Sequence, residues 1–219
     1  MAQINYKKIL DKKGFILVDT QEPISEDIKK EFFKLKNDNY LNNTKWIFRK
    51  RSFAEGSIVK SKLTWTKKNT FFQPKKINKF VGGVIRKFPM LSRPLKKFIE
   101  NLLNNFFLKQ DLFSSKFKIG AHAIRIVCNK KNKGYPVPEG FHTDGVNYVA
   151  IVPINFDKCK GGISYLKNSK NNKIVLKKKL DKKILLFNDN KLLHYATPIN
   201  INQGTLGFRD IFVITFVKR

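Results

Sequence analysis

Phe141-His142-Thr143-Asp144-Gly145-Val146-Asn147-Tyr148-Val149-Ala150-Ile151-Val152-Pro153-Ile154 is the stretch on which the reading turns. Its second half is an apolar run that follows a turn, the signature of a buried strand. Its first half places an imidazole and a carboxylate two residues apart. In an extended segment a two-residue step puts both side chains on one face. One short segment therefore offers a core strand and a candidate ligand pair together.

The pattern on either side of it is the same. Ala121–Val127 precedes it, and Ile163–Leu166, Lys173–Leu176, Ile184–Phe187, Leu192–Ala196 and Phe208–Val217 follow. Turn signals separate them, among them Asn132-Lys133-Gly134, Cys159-Lys160-Gly161-Gly162 and Asn202-Gln203-Gly204. Strands at a spacing of roughly 8–12 residues predict an antiparallel sandwich or barrel. Upstream, Phe15-Ile16-Leu17-Val18 reads as a short buried strand. Ser25 is a candidate N-cap for a helix near 25–37, with Glu26 and Asp27 in its first turn. Residues 38–90 show aromatics without a clean period, and irregular structure with short strands is expected there. A clear helix then follows Ser92. Leu95, Phe98, Ile99, Leu102, Leu103, Phe106 and Phe107 form a wide apolar stripe, suited to lying on a sheet.

The chain has 219 residues, with 45 Lys and Arg against 16 Asp and Glu, a net charge of +29. Such a field attracts polyanions, but the basic residues are spread along the chain and form no block. They read as the composition of a Lys-rich chain, with nucleic acid meeting the basic surface only non-specifically. No run of about 18 apolar residues occurs, so neither a membrane span nor a membrane partner is expected. The N-terminus lacks the apolar stretch of a secretory signal, and Cys128 and Cys159 lie outside any Cys-x-x-Cys pair. A disulfide scaffold or zinc ribbon is not expected, and a reducing cytoplasm is the default.

The chain has three histidines, His122, His142 and His194. His194 lies in the strand-like Leu192–Ala196, 50 residues beyond Asp144. Two imidazoles and a carboxylate can hold one face of an octahedral Fe(II) and leave positions open for co-substrate and O2. A His-x-Asp step alone is common by chance, so the distal histidine carries weight. Arg209, 15 residues beyond His194 and opening the strand Phe208–Val217, adds a guanidinium able to grip a carboxylate bidentately. The alternative for Arg209 is an ion pair with Asp210 or a surface charge, although its apolar neighbours argue for burial.

The chain resembles a bacterial family of 2-oxoglutarate/Fe(II)-dependent dioxygenases, the one that includes isoleucine dioxygenase and hydroxylates free amino acids. The resemblance covers roughly residues 70–219. It rests on Gln73-Pro74, Asn78, Gly82-Gly83, Arg86 and Phe88, then on Pro136 through Val146, Gly161-Gly162-Ile163-Ser164 and Leu186 through Asp189, and finally on Leu193 through Ile199 and Arg209 through Phe216. It implies a mainly β fold with packed helices, a double-stranded β-helix (a cupin-like jelly roll). We expect a single domain over 1–219, mostly helical and irregular to 116 and a jelly-roll core over 117–219. The Gly161-Gly162 pair is taken as a tight turn.

The resemblance implies Fe(II), 2-oxoglutarate and O2 as cofactor and co-substrates. His142, Asp144 and His194 would be the catalytic metal ligands, and Arg209 would anchor 2-oxoglutarate. The expected reaction hydroxylates an unactivated C–H of a free L-amino acid or similar small molecule, with release of succinate and CO2. With a carboxylate at Asp144, halogenation is not expected. A free amino acid needs a cation and an anion in its site, and Arg125 and Glu139 are the candidates. His122 is read as structural. Two alternatives stay open: an oxygenase acting on nucleic acid or another polyanion, and a non-catalytic jelly-roll binding protein.

Overall fold

In the computed structural model, which describes residues 5–19, 23–41, 47–108 and 116–219, the apolar runs pair into one large antiparallel sheet. The first half of the chain holds α1 (Tyr6–Lys13), β1 (Phe15–Asp19), α2 (Glu26–Phe33), β2 (Lys36–Asn37), β3 (Arg49–Val59), β4 (Lys62–Trp65), β5 (Thr70–Phe72), β6 (Ile85–Lys87) and α3 (Arg93–Leu102), which continues as a π-helical turn over Leu103–Leu108. The second half is strand after strand: β7 (Phe117–Asn129), β8 (Tyr148–Asp157), β9 (Cys159–Gly161), β10 (Ser164–Asn168), β11 (Ile174–Lys178), β12 (Lys183–Asn188), β13 (Leu192–Ala196), β14 (Ile199–Ile201) and β15 (Leu206–Lys218).

The large sheet runs β1-β12-β8-β15-β7-β3-β2, with β4 on the far side of β3. Side-chain alternation gives this sheet two distinct faces. Ile119, Ala121 and Ala123 of β7 and Phe212, Ile214 and Phe216 of β15 turn to the helices, where Phe32, Leu95 and Ile99 complete a continuous core. The small residues of β7 let the helices come close, and Phe32 and Phe98 both meet Phe212. The opposite face looks into the jelly roll. There Val149, Ile151, Leu185, Phe187 and Ile211 pack against Leu166 and Leu192 of the small sheet β11-β10-β13. The sheets therefore face one another, and β3, β7, β8, β13 and β15 all contribute residues to the space between them.

The structure departs from the sequence reading in four places. The helix expected near 25–37 ends at Phe33. Ser25 caps it by accepting from the Ile28 N–H, and Lys36–Asn37 already pair with β3. Residues 38–90 are not merely irregular, because β3 is eleven residues long and pairs along β7 from Ile58↔Phe117 to Arg49↔Ile126. Its inward face carries Arg49, Arg51 and Phe53, so a buried strand presents charged residues where apolar ones are looked for. Thirdly, Cys159–Gly161, read as a turn, pairs with Ile199–Ile201 as a small two-stranded sheet. Ser92 stands at the N-cap of α3, but its hydroxyl makes no capping hydrogen bond. No helix among the described residues is long and apolar enough to cross a membrane.

Candidate active site

His142, Asp144 and His194 come together at the mouth of the inter-sheet space. His142 and His194 form an isolated antiparallel bridge: the His142 N–H donates to the His194 carbonyl at 3.2 Å, and the His194 N–H donates to the His142 carbonyl at 2.9 Å. Backbone pairing thus joins residues far apart in the chain and sets their rings 4.1 Å apart, centroid to centroid. Nε2 of His142 lies 3.8 Å from Asp144 Oδ1, and Nε2 of His194 lies 3.7 Å from Asp144 Oδ2. Ligand bonds of about 2.1 Å meeting at right angles place donor atoms about 3 Å apart, so a small contraction would bring these three onto one ion.

The surrounding groups prepare the donors. Nδ1 of His142 is 3.0 Å from the Gly140 carbonyl, which accepts its proton and leaves the Nε2 lone pair facing Asp144. Burial, with His142 beside it, holds the His194 pKa well below the usual range, so this imidazole is neutral and able to ligate. Asp189, in the turn after β12, accepts from three consecutive backbone N–H groups: Asp144 at 2.9 Å, Gly145 at 2.8 Å and Val146 at 3.1 Å. This clasp fixes the loop that carries Asp144. Gly145 there has φ +75°, a left-handed conformation that turns the chain from the ligand into β8. Burial and the nearby charge of Asp144 push the Asp189 pKa up to about 7. Gln73 donates from Nε2 to Asp144 Oδ1 at 3.2 Å and steadies the carboxylate from the other side. Two imidazoles and one braced carboxylate, all within 4.8 Å, form a donor set that fits Fe(II).

Behind the triad lies a pocket with a cavity volume of about 90 Å³. Ile124, Ile151, Ile211 and Val213 form its apolar floor. Arg209 enters from β15, almost wholly buried, and makes no ion pair among the described residues. Burial draws its pKa down to about 10, so it remains a cation at neutral pH. Gly162 makes room for it: a Cβ there would stand 3.1 Å from Arg209 Cδ and 3.0 Å from the Phe156 ring. The glycine pair, read as a turn, thus also shapes the pocket.

The alternative pairing of Arg209 with Asp210 does not occur. Asp210 points to the helix face and takes Arg125 in a bidentate pair, with both contacts at 2.7 Å. That corrects the assignment of Arg125 as a substrate contact. Arg125 sits at an odd position of β7, in phase with Ala121 and Ala123, so it faces α2. Its guanidinium is held between the rings of Phe33 and Phe208 at 3.7 and 4.0 Å.

Glu139 does line the pocket. Its Oε1 accepts from Asn78 Nδ2 at 3.2 Å and lies 3.7 Å from His142 Nε2, while Oε2 is buried without a hydrogen-bond partner.

Three arginines escaped the sequence reading as site residues. Arg49, Arg51 and Arg86 line the pocket and are nearly fully buried. Arg49 Nε donates to Asp38 Oδ2 at 2.8 Å, and Arg51 Nη2 contacts His122 Nδ1 at 2.8 Å. His122 is buried and stacked on Phe53, and burial and the arginine charges keep it neutral, so it can accept from Arg51. In the sequence the alternation Arg49-x-Arg51-x-Phe53 bears on the first two, and Arg86 stands among the residues that carry the family resemblance.

The sequence pattern of the 2OG-Fe dioxygenase family matches residues 29–215. Among curated relatives, the 3(1)-hydroxy-L-isoleucine 4-dioxygenase of Pantoea ananatis (strain AJ13355) is 28% identical over 206 residues, 88% of this chain and 81% of the relative. The L-isoleucine-4-hydroxylase of Bacillus thuringiensis is 30% identical over 159 residues, 68% of this chain and 65% of the relative, just under two thirds of its length. Two crystal structures share the fold. A bsmA homolog from Methylobium petroleophilum PM1 superposes with a TM-score of 0.83 at 23% identity, covering 99% of this chain and 94% of that one. IDO from Bacillus thuringiensis superposes with a TM-score of 0.76 at 22% identity, covering 98% of each.

Proposed function

This chain belongs to the 2OG-Fe dioxygenase family, a 2-oxoglutarate-dependent dioxygenase using Fe(II) and O2, and from that premise we propose that it hydroxylates a side-chain carbon of a free L-amino acid, releasing succinate and CO2. The observation that carries the reading is the pairing of two facts. The curated relatives are named for reactions on isoleucine and a hydroxyisoleucine. The pocket behind the histidines, in turn, is recessed between the sheets and lined by opposite charges, Glu139 and several arginines, as a small zwitterion requires.

In this reading His142, Asp144 and His194 hold Fe(II), and Arg209 takes the far carboxylate of 2-oxoglutarate. When bound, iron and 2-oxoglutarate supply the oxidising power, by coupling O2 reduction to decarboxylation. The chain supplies positioning. The backbone bridge between His142 and His194 and the Asp189 clasp set the donors. The Gly140 carbonyl keeps the proton of His142 on Nδ1. Arg209, planar and permanently charged, orients the co-substrate through a two-pronged contact. Ile124, Ile151, Ile211 and Val213 keep water from the reacting carbon and strengthen each charge contact in the pocket.

The test is anaerobic binding of Fe(II) and 2-oxoglutarate, followed by a screen of the twenty amino acids for succinate formation with oxygen incorporated into the matching product. We expect at least one aliphatic amino acid to stimulate turnover, and His194→Ala to abolish it while remaining folded. A screen in which no amino acid stimulates succinate formation, while a peptide or an oligonucleotide does, overturns the reading.

A further inference from the structure

We propose that Arg51 and Arg86 form an anion subsite for the carboxylate of the substrate, with Glu139 taking its ammonium group, so that the pocket selects molecules carrying both. The inference rests on the amino-acid reading above and names the residues that enforce it.

The first argument is charge. Arg49, Arg51 and Arg86 form one wall of the pocket, and Asp38 is the carboxylate that Arg49 and Arg51 share, 2.8 Å from Arg49 and 3.9 Å from Arg51. Arg86 is 1% exposed, and no carboxylate reaches it among the described residues; its polar contact is Gln73 Oε1 at 3.4 Å. A guanidinium does not give up its proton near neutral pH, and buried cations in excess over anions are costly unless a ligand completes them. The second argument is unused bonding capacity. Nη2 of Arg49 and Nε of Arg86 are buried donors without partners, and Oε2 of Glu139 is a buried acceptor without one. Donors and an acceptor left over around one cavity are complementary to a zwitterion.

The third argument is rigidity. Arg51 lies over the rings of Phe88 and Phe71 at 4.6 and 5.5 Å, and Arg86 over Phe71 at 4.9 Å. With His122 accepting from Arg51, the guanidinium planes are fixed before any ligand arrives, which lowers the ordering cost of binding. The fourth is distance. Arg49 and Arg209 both pair with Ile126, from opposite sides of β7. Two strand spacings put their backbones about 10 Å apart, so the two side chains enter the pocket from opposite flanks of β7. On this assignment the pocket has two anion positions, one at Arg209 and one at Arg51 and Arg86. A hydrogen-bonded chain joins the second to the amine partner and the ligands: Arg86 to Gln73, Asn78 to Gln73 and to Glu139, and Gln73 to Asp144.

The test compares L-isoleucine with L-isoleucinamide on the full chain supplied with Fe(II) and 2-oxoglutarate, in wild type, Arg86→Gln and Arg86→Lys. The wild type should strongly prefer the acid. Arg86→Gln should raise the KM for L-isoleucine by about 30-fold or more, the scale of truncating a buried charge contact, and erase most of the preference over the amide. The KM for 2-oxoglutarate should stay within about threefold, since a distant group is lost. Arg86→Lys keeps the charge without the fork and should fall between; it serves as the working variant if Arg86→Gln does not fold. A rise in the 2-oxoglutarate KM with the isoleucine KM unchanged, or equal use of acid and amide by the wild type, overturns the subsite. If L-isoleucine does not turn over at all, the subsite is judged by calorimetric binding of L-alanine, which carries both groups, to the anaerobic Fe(II)- and 2-oxoglutarate-loaded protein. Binding lost in the Arg86 variant supports it, and equal or absent binding overturns it.

Discussion

Arg209 and Asp210 are chain neighbours in opposite worlds: one faces the pocket and the other takes Arg125 beneath α2. Strand parity decides which charge is available to a ligand. The same parity explains why Arg125 was misplaced, since a strand beside the core has two faces and residue type alone does not choose between them. The meeting of His142, Asp144 and His194 could be read from residue type and spacing. Arg51 and Arg86 were not singled out as site residues, because a buried arginine in a segment without an apolar period looks like surface. The space around Arg209 yields a prediction at this scale. In Gly162→Ala the new Cβ would meet Phe156, Arg209 and Ile199 at 3.0–3.2 Å from a backbone at φ +64°. We expect 2-oxoglutarate affinity to fall in this variant, alongside a stability loss of about 1–3 kcal/mol. Arg209→Lys should lower that affinity with little loss of stability. Titration calorimetry beside denaturant unfolding separates the two, and undiminished affinity in both variants would remove Arg209 from the co-substrate site.

The elements were legible in proportion to how well their apolar period showed. The stripe of α3 announced itself, and α3 does lie on the sheet, with Leu95 and Ile99 buried in its core. β7, β8 and β15 were recognised within a few residues of their observed ends. β3 was not, because its inward face was built for the ligand pocket and its period therefore reads polar. β9 and β14 were missed because three-residue strands pair only through tertiary context. Ile99 offers an element-scale prediction. It is fully buried where α3 meets the outer sheet face, remote from the pocket lining. Ile99→Ala should cost about 2–5 kcal/mol of unfolding free energy, read by urea denaturation, with the KM for 2-oxoglutarate unmoved. A loss below 1 kcal/mol would mean that α3 contributes little to holding the sheet.

At the scale of the whole molecule, the net charge of +29 stands apart from the site, whose arginines are enclosed while most lysines are exposed. The three proposed ligands reach the site from the loop before β8 and from β13, so a bound ion would tie the large sheet to the small one. Mn(II) at a hundredfold excess over its Kd should stabilise the fold by about 2.7 kcal/mol, a rise in Tm of roughly 5–10 °C for a chain of this size. Thermal unfolding with Mn(II), then with a chelator added, measures it; a Tm indifferent to both would rule out the shared site. The paired backbones of His142 and His194 carry a further consequence. Because the chain closes this junction with its own amides, the register between the two positions does not depend on their side chains, and a substitution at either one changes the donor set while leaving the main-chain junction in place.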